Sequence, residues 1–175
     1  MKKCFTMIAI ALYSLCIAGN NKNAAAMSDS VSVLNPKIVK ALGACDSIQW
    51  MLLDPMASDS IGASFTLAGE VLSETSDTNG DRVGAVKATL LYPKSFEKKE
   101  MKKDCTFLPD VAFIAYNKGG KVIFAYSFYC DVCRFEFGSI KEEYDGELIR
   151  DAFLQLSLEV FPKDRYLRRI AGVTR

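Results

Sequence analysis

The sequence predicts an α+β fold, an antiparallel sheet of about five strands with an N-terminal helix and one or two C-terminal helices packed on it. Residues 110–139 are rich in β-branched and aromatic side chains and contain a glycine turn at 118–120, which is typical of a β-hairpin. Residues 147–161 instead repeat their apolar side chains at helical spacing. Strands followed by helices are typical of an antiparallel sheet that carries the helices on a face.

The first elements follow from local patterns. Asn35 and Pro36 are a helix N-cap and a proline at the first helical position, and they predict a short helix over residues 36–46. Residues 47–55 form either a strand or the entry of the chain into the sheet, and Pro55 ends that segment.

A first hairpin is predicted from composition. Residues 63–74 and 82–93 both have β-like composition, and the segment between them contains Asn79-Gly80. Because Asn and Gly tolerate positive φ, this dipeptide favours a tight turn. The two segments are therefore predicted to pair as antiparallel strands.

The remaining elements lie in the second half of the chain. A charged connection leads to a second hairpin, a further strand, an acidic turn, a long helix and a last short helix. These are residues 94–104, 110–117, 121–130, 133–139, 141–147, 147–161 and 163–173, with Pro162 separating the two helices.

The N-terminus has the pattern of a secretory signal peptide. Two lysines precede the uncharged run at residues 4–18, and Ala24-Ala25-Ala26 supplies a small-residue cleavage site. Residues 1–26 are therefore predicted to be a signal peptide and residues 27–175 a single α+β domain. This predicts a periplasmic or extracellular protein, with a tether through an uncleaved N-terminus as the alternative.

Charge and composition exclude some partners. Removal of residues 1–26 would leave 19 basic and 21 acidic residues, a net charge of −2. That balance gives no electrostatic footprint for nucleic acid. No later run is long and apolar enough to span a bilayer. The partner is unknown, and a protein or a cell-envelope component is compatible with export.

The sequence contains no histidine. Ser-His-Asp and Cys-His catalysis and histidine-ligated metal sites are therefore excluded. No glycine-rich phosphate loop occurs either. These absences favour a non-enzymatic role, and no cofactor is expected.

Four cysteines remain after the predicted cleavage: Cys45, Cys105, Cys130 and Cys133. An even number in an exported chain indicates structural disulfides. If residues 117 and 120 flank the turn of the second hairpin, cross-strand partners sum to 237 and Cys105 falls near both Cys130 and Cys133.

The sequence predicts that Cys105 is linked to one member of the Cys-x-x-Cys pair, with Cys133 favoured over Cys130. The apolar side chains change parity after residue 130, which indicates a β-bulge that could turn Cys133 towards Cys105. Cys45 would then pair with Cys130, or both would remain buried thiols. A Cys130–Cys133 bond is the main competitor and requires a tight turn between the two residues.

Two alternatives concern Cys130 and Cys133 themselves. A thiol-disulfide redox centre prefers a Cys-x-x-Cys at a strand-to-helix junction, whereas this pair leads into a strand and has Asp131 between its thiols. Zinc could be held by four thiolates, but Cys45 and Cys105 do not form the second close pair that marks such sites.

The segment from Cys105 to Cys133 resembles a group of small, often exported and uncharacterised bacterial proteins. The pattern is Cys-x-Phe-x-Pro, a strand, a short glycine turn, a strand and Cys-x-x-Cys, and its matching positions are Cys105, Phe107, Pro109, Cys130 and Cys133. The resemblance implies no activity. Some members carry a basic residue or histidine after the proline, where this chain has Asp110. The function expected from the sequence is thus that of an exported, non-enzymatic, disulfide-stabilised module with a binding or structural role.

Overall fold

The computed structural model describes residues 33–54, 66–67, 70–77, 80–96 and 105–173. The predicted signal peptide, residues 1–26, lies outside this part of the chain. The helices and strands are, in order, α1 (Pro36–Gly43), β1 (Ser47–Asp54), β2 (Glu70–Asp77), α2 (Gly80–Leu91), β3 (Val111–Asn117), β4 (Gly120–Ser127), β5 (Val132–Phe137), β6 (Ile140–Asp145), α3 (Arg150–Val160) and α4 (Arg165–Ile170).

The strands form one antiparallel sheet in the order β2-β1-β3-β4-β5-β6. This confirms the α+β class, with six strands where about five were expected. The sequence-derived register of the β3–β4 hairpin is also confirmed, since Val111 pairs with Tyr126 and Asn117 with Gly120. The ladder ends at Val111, so Cys105 lies before it and has no cross-strand partner in this hairpin.

Helix α1 begins as predicted. The side chain of Asn35 accepts a hydrogen bond from the Lys37 amide at 3.0 Å, and Pro36 occupies the first turn. The helix ends at Gly43, three residues earlier than expected, because Cys45 and Asp46 already lead into β1.

The predicted first hairpin is wrong. Residues 80–91 form helix α2, and β2 pairs with β1 instead. Val83, Val86 and Leu90 are buried at helical spacing, so the period of the apolar side chains decided the structure and the β-like composition did not. An ion pair of 2.6 Å between Arg82 and Asp77 joins the start of α2 to the end of β2.

The sixth strand, β6, occupies residues that the sequence assigned to an acidic turn. Gly138 adopts a φ of 60°, which reverses the chain directly after β5. Residues 140–145 then pair with β5 along their whole length. Their side chains alternate between half-buried and exposed for most of the strand, as in an edge strand, but four of the six residues are charged, which in sequence alone favours a turn.

All four helices pack on one face of the sheet, the helix face. Alternate residues of β1 and of β3 to β5 point towards it and meet side chains of α1, α2, α3 and α4 in one core cluster. Its largest fully buried side chains are Trp50, Tyr126, Phe113, Phe124, Phe135 and Phe153.

Helix α3 confirms most of the predicted C-terminal stripe. Phe153, Leu154 and Leu156 are buried against the sheet. Leu148, expected in the same stripe, is exposed because residues 147–149 form a 3-10 turn before α3 begins. The last short helix is confirmed as α4, whose N-cap Asp164 accepts from the Leu167 amide at 2.8 Å.

Candidate functional site

The structure contains a disulfide between Cys105 and Cys130, with the Cα atoms 6.2 Å apart. Cys130 lies in the turn at residues 128–131 that joins β4 to β5, and Cys105 lies on the irregular segment that leads into β3. Asp131 completes the turn with a φ of 53°, a conformation that Asp tolerates better than most residues. The prediction that Cys105 is cross-linked to the Cys-x-x-Cys pair is confirmed.

The preference for Cys133 is wrong, and so is the predicted bulge. The change of apolar parity arises because the chain reverses at residues 128–131, after which Cys133 pairs with Tyr126 on the helix face. Cys105 instead contacts the cluster on the opposite face of the sheet, which also includes Cys130. Cys133 and Cys105 therefore lie on opposite faces of the sheet and cannot meet.

Cys45 and Cys133 are buried thiols and belong to the core beneath the helices. Burial raises the pKa of Cys45, and Cys133 donates to the Tyr144 carbonyl at 3.7 Å. A raised pKa and lack of access both disfavour a reactive thiolate. Among the described residues, no three His, Cys, Asp or Glu side chains are grouped to hold a metal ion.

The disulfide helps to cover the second face of the sheet, the face opposite the helices. A small apolar cluster there includes Met51, Leu53 and Phe107. The Arg134 guanidinium lies 4.1 Å from the centre of the Phe107 ring and also forms an ion pair with Glu143. The bond therefore fixes the segment that lies over this cluster.

A buried polar corner lies beside the disulfide, at the turn between β4 and β5. Asp110 accepts a hydrogen bond from the Phe128 amide at 2.7 Å. Burial raises the pKa of Asp110 to about 6, although that hydrogen bond and the charge of Arg150 oppose the increase. Arg150 donates to the Phe128 carbonyl at 2.9 Å and forms an ion pair with Asp131.

Tyr126 closes this corner from the core side. Its hydroxyl donates to the Gly146 carbonyl at 2.9 Å, and burial raises its pKa. A Cβ placed on Gly146 would lie 2.5 Å from Tyr126 Cε2, so the close approach requires glycine. Asp110, Arg150 and Tyr126 each bond to a backbone group of a neighbouring turn, which indicates a structural role for these side chains.

A cleft of about 470 Å³ lies at the other end of β4, where the β3–β4 turn meets the end of α1. Ala41, Ala44 and Phe137 supply its apolar surface. Phe137 follows Cys133 and Phe135 on the helix face of β5, but it is the last residue of the strand and only partly buried. Its ring packs against the edge of the core cluster and also lines the cleft.

The charges around the cleft are mostly positive. Lys37 and Lys40 come from α1 and Lys118 from the β3–β4 turn, whereas Asp46 is the one acidic lining residue. No ion pair between described residues involves these three lysines. Their ammonium groups are exposed and available to a ligand.

Asn117 connects the two elements that form the cleft. Its side-chain amide donates to the Ala41 carbonyl near the end of α1 at 2.8 Å, and its oxygen accepts from the Gly119 amide at 2.6 Å. The first bond satisfies a carbonyl that the helix end leaves unpaired, and the second shapes the turn. The side chain of Asn117 therefore links the turn that carries Lys118 to the end of α1.

The spacing of the cysteines predicted a disulfide of Cys105, but no feature of the sequence predicted the cleft. Lys37 and Lys40 are three apart on an exposed helix face, which sequence alone reads as a solvated surface. Phe137 continues the alternation of Phe135 and reads as core. Only their proximity in the structure distinguishes these residues from ordinary surface and core positions.

The fold and the site define a class: an α+β domain with helices on one face of a six-stranded antiparallel sheet and a disulfide on the other. No protein-family model matches the chain, and no curated protein or solved structure is significantly similar to it. None of the described helices is long and apolar enough to cross a membrane. The function must therefore be argued from the site.

Proposed function

We propose that this protein is an exported, non-enzymatic, disulfide-stabilised module that binds a small ligand in the cleft between α1 and the β3–β4 turn. The observation that carries the proposal is the cleft itself. Its volume of about 470 Å³ is within the usual range of small-molecule sites, and it combines apolar side chains with a few charged groups.

The disulfide supports export. Structural disulfides persist in oxidising compartments outside the cytoplasm, which agrees with the charged start, apolar run and alanine triplet of the N-terminus. The mass of the protein from its native host is expected to place the mature N-terminus at or near Met27. An intact Met1 in the mature protein would contradict export by a cleaved signal.

The alternative function, redox or zinc chemistry through Cys130 and Cys133, has less support. Cys130 is bonded to Cys105, and Cys133 is fully buried on the other face of the sheet. Exchange between Cys130 and Cys133 would require the chain to rearrange at both residues.

The binding role can be tested by NMR titration with a panel of small apolar and amphiphilic molecules. Binding is expected to shift the backbone amides of Ala41, Ala44 and Gly119. The variant Ala44→Trp fills the cleft from an exposed position and is expected to abolish these shifts, whereas Gln155→Trp on the exposed surface of α3 should preserve them. Shifts that persist in Ala44→Trp, or a panel with no effect on these amides, would contradict the proposal.

A further inference from the structure

The chemistry of the cleft identifies the kind of ligand it would hold. Ala41, Ala44 and Phe137 offer an apolar surface without a polar side chain among them. Burial of apolar groups against such a surface is favourable in proportion to the area removed from water. A ligand without apolar groups would gain no free energy from contact with this surface, so we expect the ligand to carry an apolar portion.

The lysines determine the charge of the other portion. Lys37, Lys40 and Lys118 outnumber Asp46 around the same cleft, which leaves a local excess of positive charge. Two lysines on α1 and one on the opposing turn can approach a single negative group from two sides. The ligand portion at the rim is therefore expected to be an anion.

A neighbouring cleft shows that this charge is particular to the first one. The two clefts share Gly119 and Phe137, but the neighbour is lined by Lys121 and Glu136, whose charges balance. An anion is therefore expected at the lysines of α1 and not at the neighbouring site.

The cleft is held in shape before a ligand binds. Asn117 bonds both to the end of α1 and to the turn that carries Lys118. A site that is already arranged loses less conformational entropy on binding. The three lysines can therefore contribute to the affinity for a ligand although each of them is exposed to solvent.

We propose that the cleft binds an anionic amphiphile, a single carboxylate or phosphate head on a linear apolar tail. This inference rests on the binding function proposed above and specifies its ligand. The tail lies against Phe137 and the two alanines, and the head lies between Lys118 and the lysines of α1.

Decanoate, decyl phosphate, decanol and acetate are the probes that separate these contributions. NMR titrations are run with each below its micelle-forming concentration. Decanoate or decyl phosphate is expected to shift the cleft amides at lower concentration than decanol, and acetate is expected to bind weakly. The relative affinity of the two anions identifies the preferred head group. Octanoate should bind about tenfold more weakly than decanoate, because two fewer methylenes are buried.

Charge-reversal variants test the lysines. Lys40→Glu and Lys118→Glu are each expected to weaken decanoate binding by about three- to tenfold, the range for exposed ion pairs that become repulsive, and to leave decanol unchanged. Lys163→Glu is the matched control, since Lys163 is exposed and does not line the cleft. It should leave decanoate affinity unchanged.

The outcomes separate this inference from the proposed function. If decanol binds as tightly as decanoate, or if Lys163→Glu weakens binding as much as Lys40→Glu, anion recognition at the cleft is wrong although the binding function stands. If no probe shifts the cleft amides, both are wrong. Loss of decanoate binding in high salt, with decanol unaffected, would add support.

Discussion

The Cys105–Cys130 disulfide should contribute a large part of the stability of this fold. The two residues are 25 positions apart, and the chain-entropy model gives about 3.5 kcal/mol for a closed loop of that length. The segment at residues 105–109 has no regular secondary structure, so the bond restricts a part of the chain that the sheet does not hold. That free energy is expected to be lost on reduction.

The assay is urea unfolding at neutral pH with and without a phosphine reductant. The reductant should lower the free energy of unfolding of the wild-type protein by about 3–4 kcal/mol. It should have no effect on the double variant Cys105→Ala/Cys130→Ala, whose stability should resemble that of the reduced protein. Cys45→Ala is the control and should keep the full response, because Cys45 is a buried thiol.

Two results would refute this reasoning. A response to reductant in the double variant would mean that Cys45 or Cys133 takes part in another disulfide. A wild-type response below about 0.5 kcal/mol, the level of an ordinary surface substitution, would mean that the bond restricts no conformational freedom in the unfolded chain.

Three further predictions concern buried positions. Because the pKa of Asp110 is raised to about 6, the native state binds more protons than the unfolded state between about pH 4 and 6. The free energy of unfolding of the wild-type protein should therefore fall by about 3 kcal/mol as the pH rises through that window. The variant Asp110→Asn should remove this fall. Parallel stability–pH curves for the two proteins would contradict this. Gly146→Ala should lower the free energy of unfolding by about 1–3 kcal/mol in thermal or urea unfolding, because its Cβ would overlap the fully buried Tyr126. The control Gly84→Ala, in open space on α2, should stabilise the protein slightly. Equal effects would mean that the overlap is relieved at no cost. Phe153→Ala should cost about 3–5 kcal/mol in urea unfolding, since this fully buried ring is surrounded by other aromatic rings of the sheet, and a loss below about 0.5 kcal/mol would place it outside the core.

The sequence predicted those elements whose local pattern and burial agree. The Asn35-Pro36 start of α1, the β3–β4 hairpin with its register, and most of the apolar stripe of α3 formed as expected. In the hairpin and in α3 most of the residues that favour the element locally are also those that the core buries. Local propensity and tertiary packing then select the same structure.

The sequence prediction failed where local composition and tertiary packing disagree. Residues 82–91 have the composition of a strand but bury one helical face against the sheet. Residues 140–145 carry charges at four of six positions, as an edge strand can, so they lack the apolar pattern of a buried strand. Which side of a strand or helix is buried depends on the assembled sheet, so a short segment of sequence does not predict it.

The cysteines show the same division between sequence and tertiary structure. The number and spacing of Cys105, Cys130 and Cys133 were enough to predict a cross-link between Cys105 and the pair. Which partner it takes depends on the side of the sheet each thiol faces, and a turn at residues 128–131 reversed that relation. Because side chains alternate along a strand, the number of residues in the turn at 128–131 decides which positions of β5 share a face with those of β4.

The cleft depended on tertiary structure alone. Lys37, Lys118 and Phe137 are far apart in the chain, and each has an ordinary local environment for its residue type. They meet because α1 packs on the sheet beside the β3–β4 turn, where Asn117 also bonds to the end of the helix. The sequence determined the α+β class, the cross-link of Cys105 and the absence of histidine chemistry, because these follow from residue type and periodicity. The tertiary structure decided the disulfide partner and the candidate binding site, because both depend on which faces and ends of elements the packing brings together.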